Sequence, residues 1–360
     1  MKKFSAFLSL VLTACLLVGC AGTPVVYYAD CTCPTNEQST PVVDTTPNDS
    51  PVTTEGALKT GLAISTSVKD SKNAAADAEG EAKYDVTVVA VLVDDNGVIQ
   101  DCIIDGISSS VKFDANGAIT TDLTAGPQTK NELGENYNMV TYGGAIAEWD
   151  AQAAAFADYI IGKTVDEVNG ISVDETTKPT DADLTSSVTI KIGAFQAAVQ
   201  TAVANAQHLG AQAGDQLKLA VNTGIGSSKS ADAENAGNAQ LDVDVAALTM
   251  KGETITSCII DSVQAKVAIG ADGWITSDIT SPVSTKNELG EGYGMKAWGN
   301  AITEWNEQAA SFAAYITGKT AADVAGIAID EGTKPTDADL TASVTIAIGG
   351  FQALIAKACQ

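Results

Sequence analysis

The chain has 360 residues, of which 20 are basic and 45 acidic, giving a formal charge of −25 with a single histidine. That acid excess argues against nucleic acid, whose phosphates require a basic surface, and against holding anionic lipid by charge alone. With only His208 available, haem and classical zinc centres, which lean on imidazole, are also unexpected.

Met1-Lys2-Lys3 is a short basic start, and Phe4 to Val18 is a continuous small-and-apolar run. The run is too short to span a bilayer and reads as a secretory signal over residues 1–19. It ends in Leu17-Val18-Gly19-Cys20, which resembles a bacterial lipobox. The pattern implies cleavage before Cys20 and lipidation of its sulfur, a membrane anchor with no spanning helix. Leu12-Thr13-Ala14-Cys15 also fits, but cutting there would leave Leu16 to Val18 apolar on the mature end. The expected location is the extracellular face of the cell membrane. Residues 20–57 are rich in Thr, Pro, Asp and Ser and read as a disordered tether.

From about residue 58 the chain repeats itself. Cys102 and Cys258, Trp149 and Trp305, and Thr189 and Thr345 are matching pairs, each 156 residues apart, and the register holds to the end. Two long units are not a solenoid. They read as tandem homologous domains over 58–208 and 209–360, joined near His208 to Asp215. Each is expected to open with a Gly-, Ser- and Ala-rich polar stretch and then a hairpin. Tyr84 to Val93 and Val98 to Ile104 are the first pair of strands, around the turn Asp94-Asp95-Asn96-Gly97. A second hairpin is predicted at Val111 to Phe113, turning through Asp114 to Gly117 into Ala118 to Thr121. Cys102 and Cys258 fall in apolar strand-like runs and read as buried thiols.

Thr129-Lys-Asn-Glu-Leu-Gly-Glu135 returns unchanged as Thr285 to Glu291. This polar loop either contacts a cofactor through Lys130 and Lys286 or caps the next helix. Ile146, Trp149, Ala153, Phe156 and Ile160 fall at helical spacing, so Trp149 and Trp305 read as core anchors. Gly162 should stop that helix, and Thr164 to Glu167 has the form of a capping box. Gly193 and Gly350 open the last helix of each copy. The fold class expected is α+β: two tandem domains, each an antiparallel sheet with helices packed against it.

Before each final helix lies a Thr-bearing polar turn, Asp183-Leu-Thr-Ser-Ser-Val-Thr189 and Asp339-Leu-Thr-Ala-Ser-Val-Thr345. The order of sheet, helix, Asp-x5-Thr and C-terminal helix resembles the FMN-binding domain of Rnf/Nqr-type electron-transfer subunits. The twin-domain layout behind a lipobox and stalk is similar to the flavinylated lipoproteins of extracellular electron transfer. That resemblance spans essentially the whole mature chain. It implies FMN joined through its phosphate to Thr189 and Thr345 by a flavin transferase, with Asp183, Asp339, Ser187 and Ser343 in the motif. The family's Ser-Gly-Ala before the acceptor is Ser186-Ser187-Val188 in one copy and Ala342-Ser343-Val344 in the other. Thr185 and Thr341 therefore stay open as acceptors.

The resemblance also implies a role as an electron carrier, not an enzyme. Electrons would pass from a membrane quinol-linked donor to soluble flavins or other extracellular acceptors. No Ser-His-Asp set, zinc box or phosphate-binding Walker loop is present in the sequence. The alternative is a cofactor-free binding or structural lipoprotein that presents the Thr129–Glu135 loop as a surface.

Overall fold

The computed structural model describes residues 56–360. The signal, Cys20, and the tether up to residue 55, with Cys31 and Cys33, lie outside the described residues.

The first repeat forms the sheet β1 (Lys59–Ser67), β2 (Gly80–Val93) and β3 (Ile99–Phe113), antiparallel in that order. Helices α1 (Lys130–Leu133), α2 (Met139–Gly143), α3 (Trp149–Ile160), α4 (Val165–Asn169), α5 (Ala182–Thr185) and α6 (Gly193–Ala204) follow. The second repeat gives β4 (Gln216–Gly224), β5 (Gly237–Lys251) and β6 (Thr254–Ile269). Its helices are α7 (Lys286–Leu289), α8 (Met295–Gly299), α9 (Trp305–Ile316), α10 (Ala321–Ala325), α11 (Ala338–Thr341) and α12 (Gly349–Ala358). The α+β class and the tandem arrangement are therefore as expected.

Three apolar cores hold the layers together. Alternate residues of β2, among them Tyr84, Val86, Val88 and Leu92, meet Leu241, Val243, Val245 and Val263 of the other repeat. This central core is common to both sheets, which pack face to face as in a sandwich. Because of it the two repeats form one compact unit. The outer faces carry the helices. Val89, Val91 and Ile104 pack under Phe156, Phe195 and Val199, and Leu248, Ile260, Phe312 and Phe351 repeat the arrangement. Trp149 meets Phe195 edge-on, with ring centroids 5.6 Å apart, a geometry that aromatic quadrupoles favour.

Strand β2 changes character along its length. Toward its end both faces are buried, whereas Lys83, Asp85 and Thr87 are only half-buried on the helix side. A strand covered on both faces needs apolar residues throughout, while a half-covered one alternates. The alternating stretch marks where the helical layer stops short, and there the sheet becomes the floor of a cleft.

Several expectations are corrected. The opening stretch of each repeat is not merely polar, since it contains β1 and β4. The predicted second hairpin is a single long strand, β3, followed by a turn, with only the bridge between Phe113 and Ile119 beyond it. Asp114 shapes this turn as Asp94 shapes the one between β2 and β3, by accepting from N–H groups two and four residues on. The Lys112 N–H then goes to the Thr121 hydroxyl in place of a backbone carbonyl, and the ladder stops. Ile146 lies outside α3 and is exposed, because the helix begins at Trp149. The last helix of the second copy starts at Gly349.

Other local readings agree with the structure. Thr164 and Glu167 form the capping box of α4, and α3 ends before Gly162, whose φ of 79° suits glycine. Cys102 and Cys258 are buried and free. The connector between the repeats runs back along β1, where Gln207 bridges to Thr60 and Ala211 enters the central core.

Candidate functional site

Thr189 lies four residues before α6, held between that helix and α3. Its N–H and its Oγ1 both donate to Oε1 of Gln152, at 2.8 and 3.1 Å. Gln152 is wholly buried in α3 and donates from Nε2 to the Ala147 carbonyl at 2.7 Å. The second repeat duplicates this arrangement. Thr345 donates twice to Gln308, at 2.8 and 3.2 Å, and Gln308 donates to the Thr303 carbonyl at 2.9 Å.

Thr189 borders a cleft of about 830 Å³. Its floor includes Asp85 and Thr87 of β2, and its lining adds Asp70 and four lysines, Lys69, Lys130, Lys178 and Lys191. The N-terminal turn of α6 also faces it through Ala194 and Phe195. A helix N-terminus presents unpaired N–H groups and the positive end of the macrodipole, so the cleft suits an anion despite the acidity of the whole chain. Its volume is in the range of small-molecule and cofactor sites, roughly 300–1,000 Å³.

Thr129 and Glu132 form a capping box at α1, as Thr285 and Glu288 do at α7, so the repeated loop does cap a helix. The same cap aims Lys130 at the cleft. Its Nζ lies 4.7 Å from the centre of the Trp149 ring and 5.3 Å from that of Tyr137. Lys286 repeats this over Trp305 and Tyr293. Burial pushes the Lys130 ammonium below the usual lysine value, while Asp85 and Asp105 oppose that shift. Trp149 is only 7 % exposed, which makes it a wall of the cleft and not a free stacking plate.

The other candidate residues sit apart. Thr185 and Thr341 lie inside α5 and α11, where each hydroxyl donates to the carbonyl three residues back, at 3.2 Å. Ser187 and Ser343 do the same toward Leu184 and Leu340, at 3.3 and 3.4 Å. Asp183 and Asp339 are exposed in the first turns of those short helices. The structure thus brings Thr189 together with Lys130, Lys178 and Lys191, and leaves Asp183, Thr185 and Ser187 off the cleft lining.

Two features escaped the sequence reading. Gln152 and Gln308 went unremarked, although the 156-residue register keeps both copies next to the apolar stripe of their helices. The second is Thr177, with φ of 66°, matched by Thr333 at 59°. A β-branched residue in the left-handed region is strained, and such strain persists where the surroundings over-determine it. The carbonyl of Thr177 accepts from Ile192 and so helps fix the segment that carries Thr189.

The chain matches no family model, no curated protein and no solved structure in the three comparisons made.

Proposed function

We propose that the protein is a membrane-anchored extracellular electron carrier with FMN bound covalently, through phosphoester bonds, to Thr189 and Thr345. The observation that carries this reading is the setting of Thr189. Of the candidate hydroxyls in the first repeat, its Oγ1 is the one beside a lysine-lined cleft of cofactor size. The equivalent threonine is held in the same way in the second repeat.

The residues fit a flavin phosphate. Lys191, Lys178 and the first turn of α6 would hold the phosphate charge, and Lys130 with the edge of Trp149 would border the ring system. Bound there, the flavin supplies the redox chemistry, while the chain sets its exposure and potential. Covalent attachment suits an acidic extracellular protein, since it prevents loss of an anionic cofactor by dilution. Cys20 would provide the lipid anchor. A flavin transferase, a membrane quinol-linked donor, and soluble flavins or other extracellular acceptors would be the partners.

The test is coexpression with and without a flavin transferase, followed by in-gel flavin fluorescence after denaturation. Peptides containing Thr189 and Thr345 should carry an FMN mass adduct. Unmodified peptides under coexpression would sink the reading and leave the cofactor-free surface lipoprotein in its place. A label surviving in the Thr189→Ala/Thr345→Ala double variant would move the acceptor elsewhere, with Thr185 and Thr341 next to be examined.

A further inference from the structure

We infer that Gln152 and Gln308 are positioning residues for cofactor attachment, each turning its threonine hydroxyl so that the oxygen lone pairs face the cleft. The inference rests on the phosphoester reading above. The amide orientation follows from its partners. The Thr189 N–H can only donate and the Ala147 carbonyl can only accept, so Oε1 must face the threonine and Nε2 the carbonyl. With Oε1 fixed there, the Thr189 hydroxyl is the donor of the 3.1 Å bond. Its proton therefore points inward to the glutamine, and both lone pairs are left to point away from it.

The second repeat has the same constraint from Thr303, and there Oε1 of Gln308 also accepts from the Ile346 N–H at 3.2 Å. Both glutamines are wholly buried, where an amide lacking partners is costly, so each helix retains this polar group against an apolar alternative. Thr185 also gives its proton to a carbonyl, but that carbonyl belongs to its own short helix and the residue lies off the cleft lining. What Gln152 adds is a double hold, on the N–H and the hydroxyl of the threonine that borders the cleft.

Joining a phosphate monoester to an alcohol by loss of water is uphill in water, so the donor required is a flavin nucleotide with an anhydride-activated phosphate. Threonine Oγ1 forms the new O–P bond, and the anhydride O–P bond breaks. The bonding electrons leave with the departing phosphate fragment, which takes up the hydroxyl proton. No oxidation or reduction occurs. An amide oxygen is too weak a base to keep that proton, so the role of Gln152 is orientation, which can be worth one or more powers of ten in rate.

The experiment uses the full chain with transferase and an anhydride-linked flavin nucleotide, following label at each threonine-containing peptide by mass. In Gln152→Met, labelling at Thr189 should slow about tenfold or more while Thr345 in the same molecule labels at the wild-type rate. Gln152→Glu keeps the acceptor but loses the donor to Ala147, and it should restore labelling at Thr189. Gln152→Met labelled like wild type, or Gln152→Glu as poor as Gln152→Met, would overturn the inference alone. Wild-type protein unlabelled at both peptides would overturn the flavin reading and this inference with it.

Discussion

Lys357 in the last helix of the second repeat reaches Glu132 of the first, with Nζ 2.5 Å from Oε1. Glu132 is the same residue that closes the capping box on Thr129, through its other oxygen. The pair therefore ties α12 of one repeat to the turn that aims Lys130 at the cleft of the other. The matching positions are Thr201 and Glu288, which border a common crevice but cannot form an ion pair. A partly exposed pair is worth about 0.2–1 kcal/mol. Lys357→Met should lower unfolding stability by about that amount, and less so at high salt. Thr201→Lys should raise it similarly by completing the second tie. Urea unfolding at two salt concentrations checks both, and a Thr201→Lys variant less stable than wild type would contradict the pseudo-symmetric geometry.

Gly61 in β1 marks a close approach of α6 to the first sheet. A Cβ there would lie 2.1 Å from the Ala202 carbonyl oxygen of α6 and 2.9 Å from Val91. The first obstacle is backbone and cannot rotate away, so α6 itself must shift. Gly61→Ala should cost about 1–3 kcal/mol, the usual range for overpacking. The displaced α6 also carries the cleft turn, so labelling at Thr189 should fall more than at Thr345. Thermal unfolding together with peptide mapping would reveal both effects.

How far these features could be read from the sequence depended on periodicity. The hairpin signal at Asp94 to Gly97 and the capping box at Thr164 are local, and local chemistry decided them. Strand β1 was missed because Lys-Thr-Gly-Leu-Ala-Ile-Ser-Thr-Ser is built of small residues. Its run of buried positions arises from α6 on one face and the other repeat on the second, which no local pattern records. The shared central core was invisible for the same reason: Tyr84 and Leu241 face each other's sheets only after the repeats pack. The repeated Asp183–Thr189 turn was visible in the sequence. Its partner was not, since Gln152 stands next to an apolar stripe and draws its meaning from a contact 37 residues away.

Asp261 of β6 is buried, and burial raises its carboxyl to about 6 against the N–H and hydroxyl bonds from Asn287, Ser262 and Thr285. The folded state thus binds a proton that the unfolded chain, with a carboxyl near 3.8, has released. Stability from this group is full below about pH 4 and declines as pH rises through about 6. Asp261→Asn keeps an acceptor oxygen and removes the titration. Other carboxylates titrate in the same window, so the informative quantity is the difference between variant and wild type. That difference should move in favour of Asp261→Asn by about 2–3 kcal/mol between pH 4 and pH 7. A difference independent of pH would show that Asp261 is not held protonated.

The surroundings of Thr189 and Thr345 are not electrically equal, which on the proposed flavin reading would set the direction of electron flow. Around Thr189, Lys83, Asp85 and Thr87 face the helix side of β2, and Lys191 stands two residues after that threonine. The strand pairing sets Gln240, Asp242 and Asp244 at the matching places in β5, and Ala347 replaces Lys191. Accordingly, the charges acting on Lys130 are Asp85, Lys83 and Asp105, whereas those acting on Lys286 are Asp244, Asp242 and Asp261. The second repeat gains Lys266 and Lys296, but these and Lys191 are all exposed, where water screens them, so the difference rests on Lys83 and Thr87 against Gln240 and Asp244. Reduced flavin carries negative charge near neutral pH, so nearby cations raise its potential and nearby carboxylates lower it. With flavin on both threonines, the first site should reduce at the more positive potential, drawing electrons from the second. Thr345→Ala and Thr189→Ala isolate the two sites for spectroscopic redox titration. Thr87→Asp combined with Lys191→Ala should then shift the first site toward the second, and equal potentials in the two single-site proteins would exclude a charge-set direction.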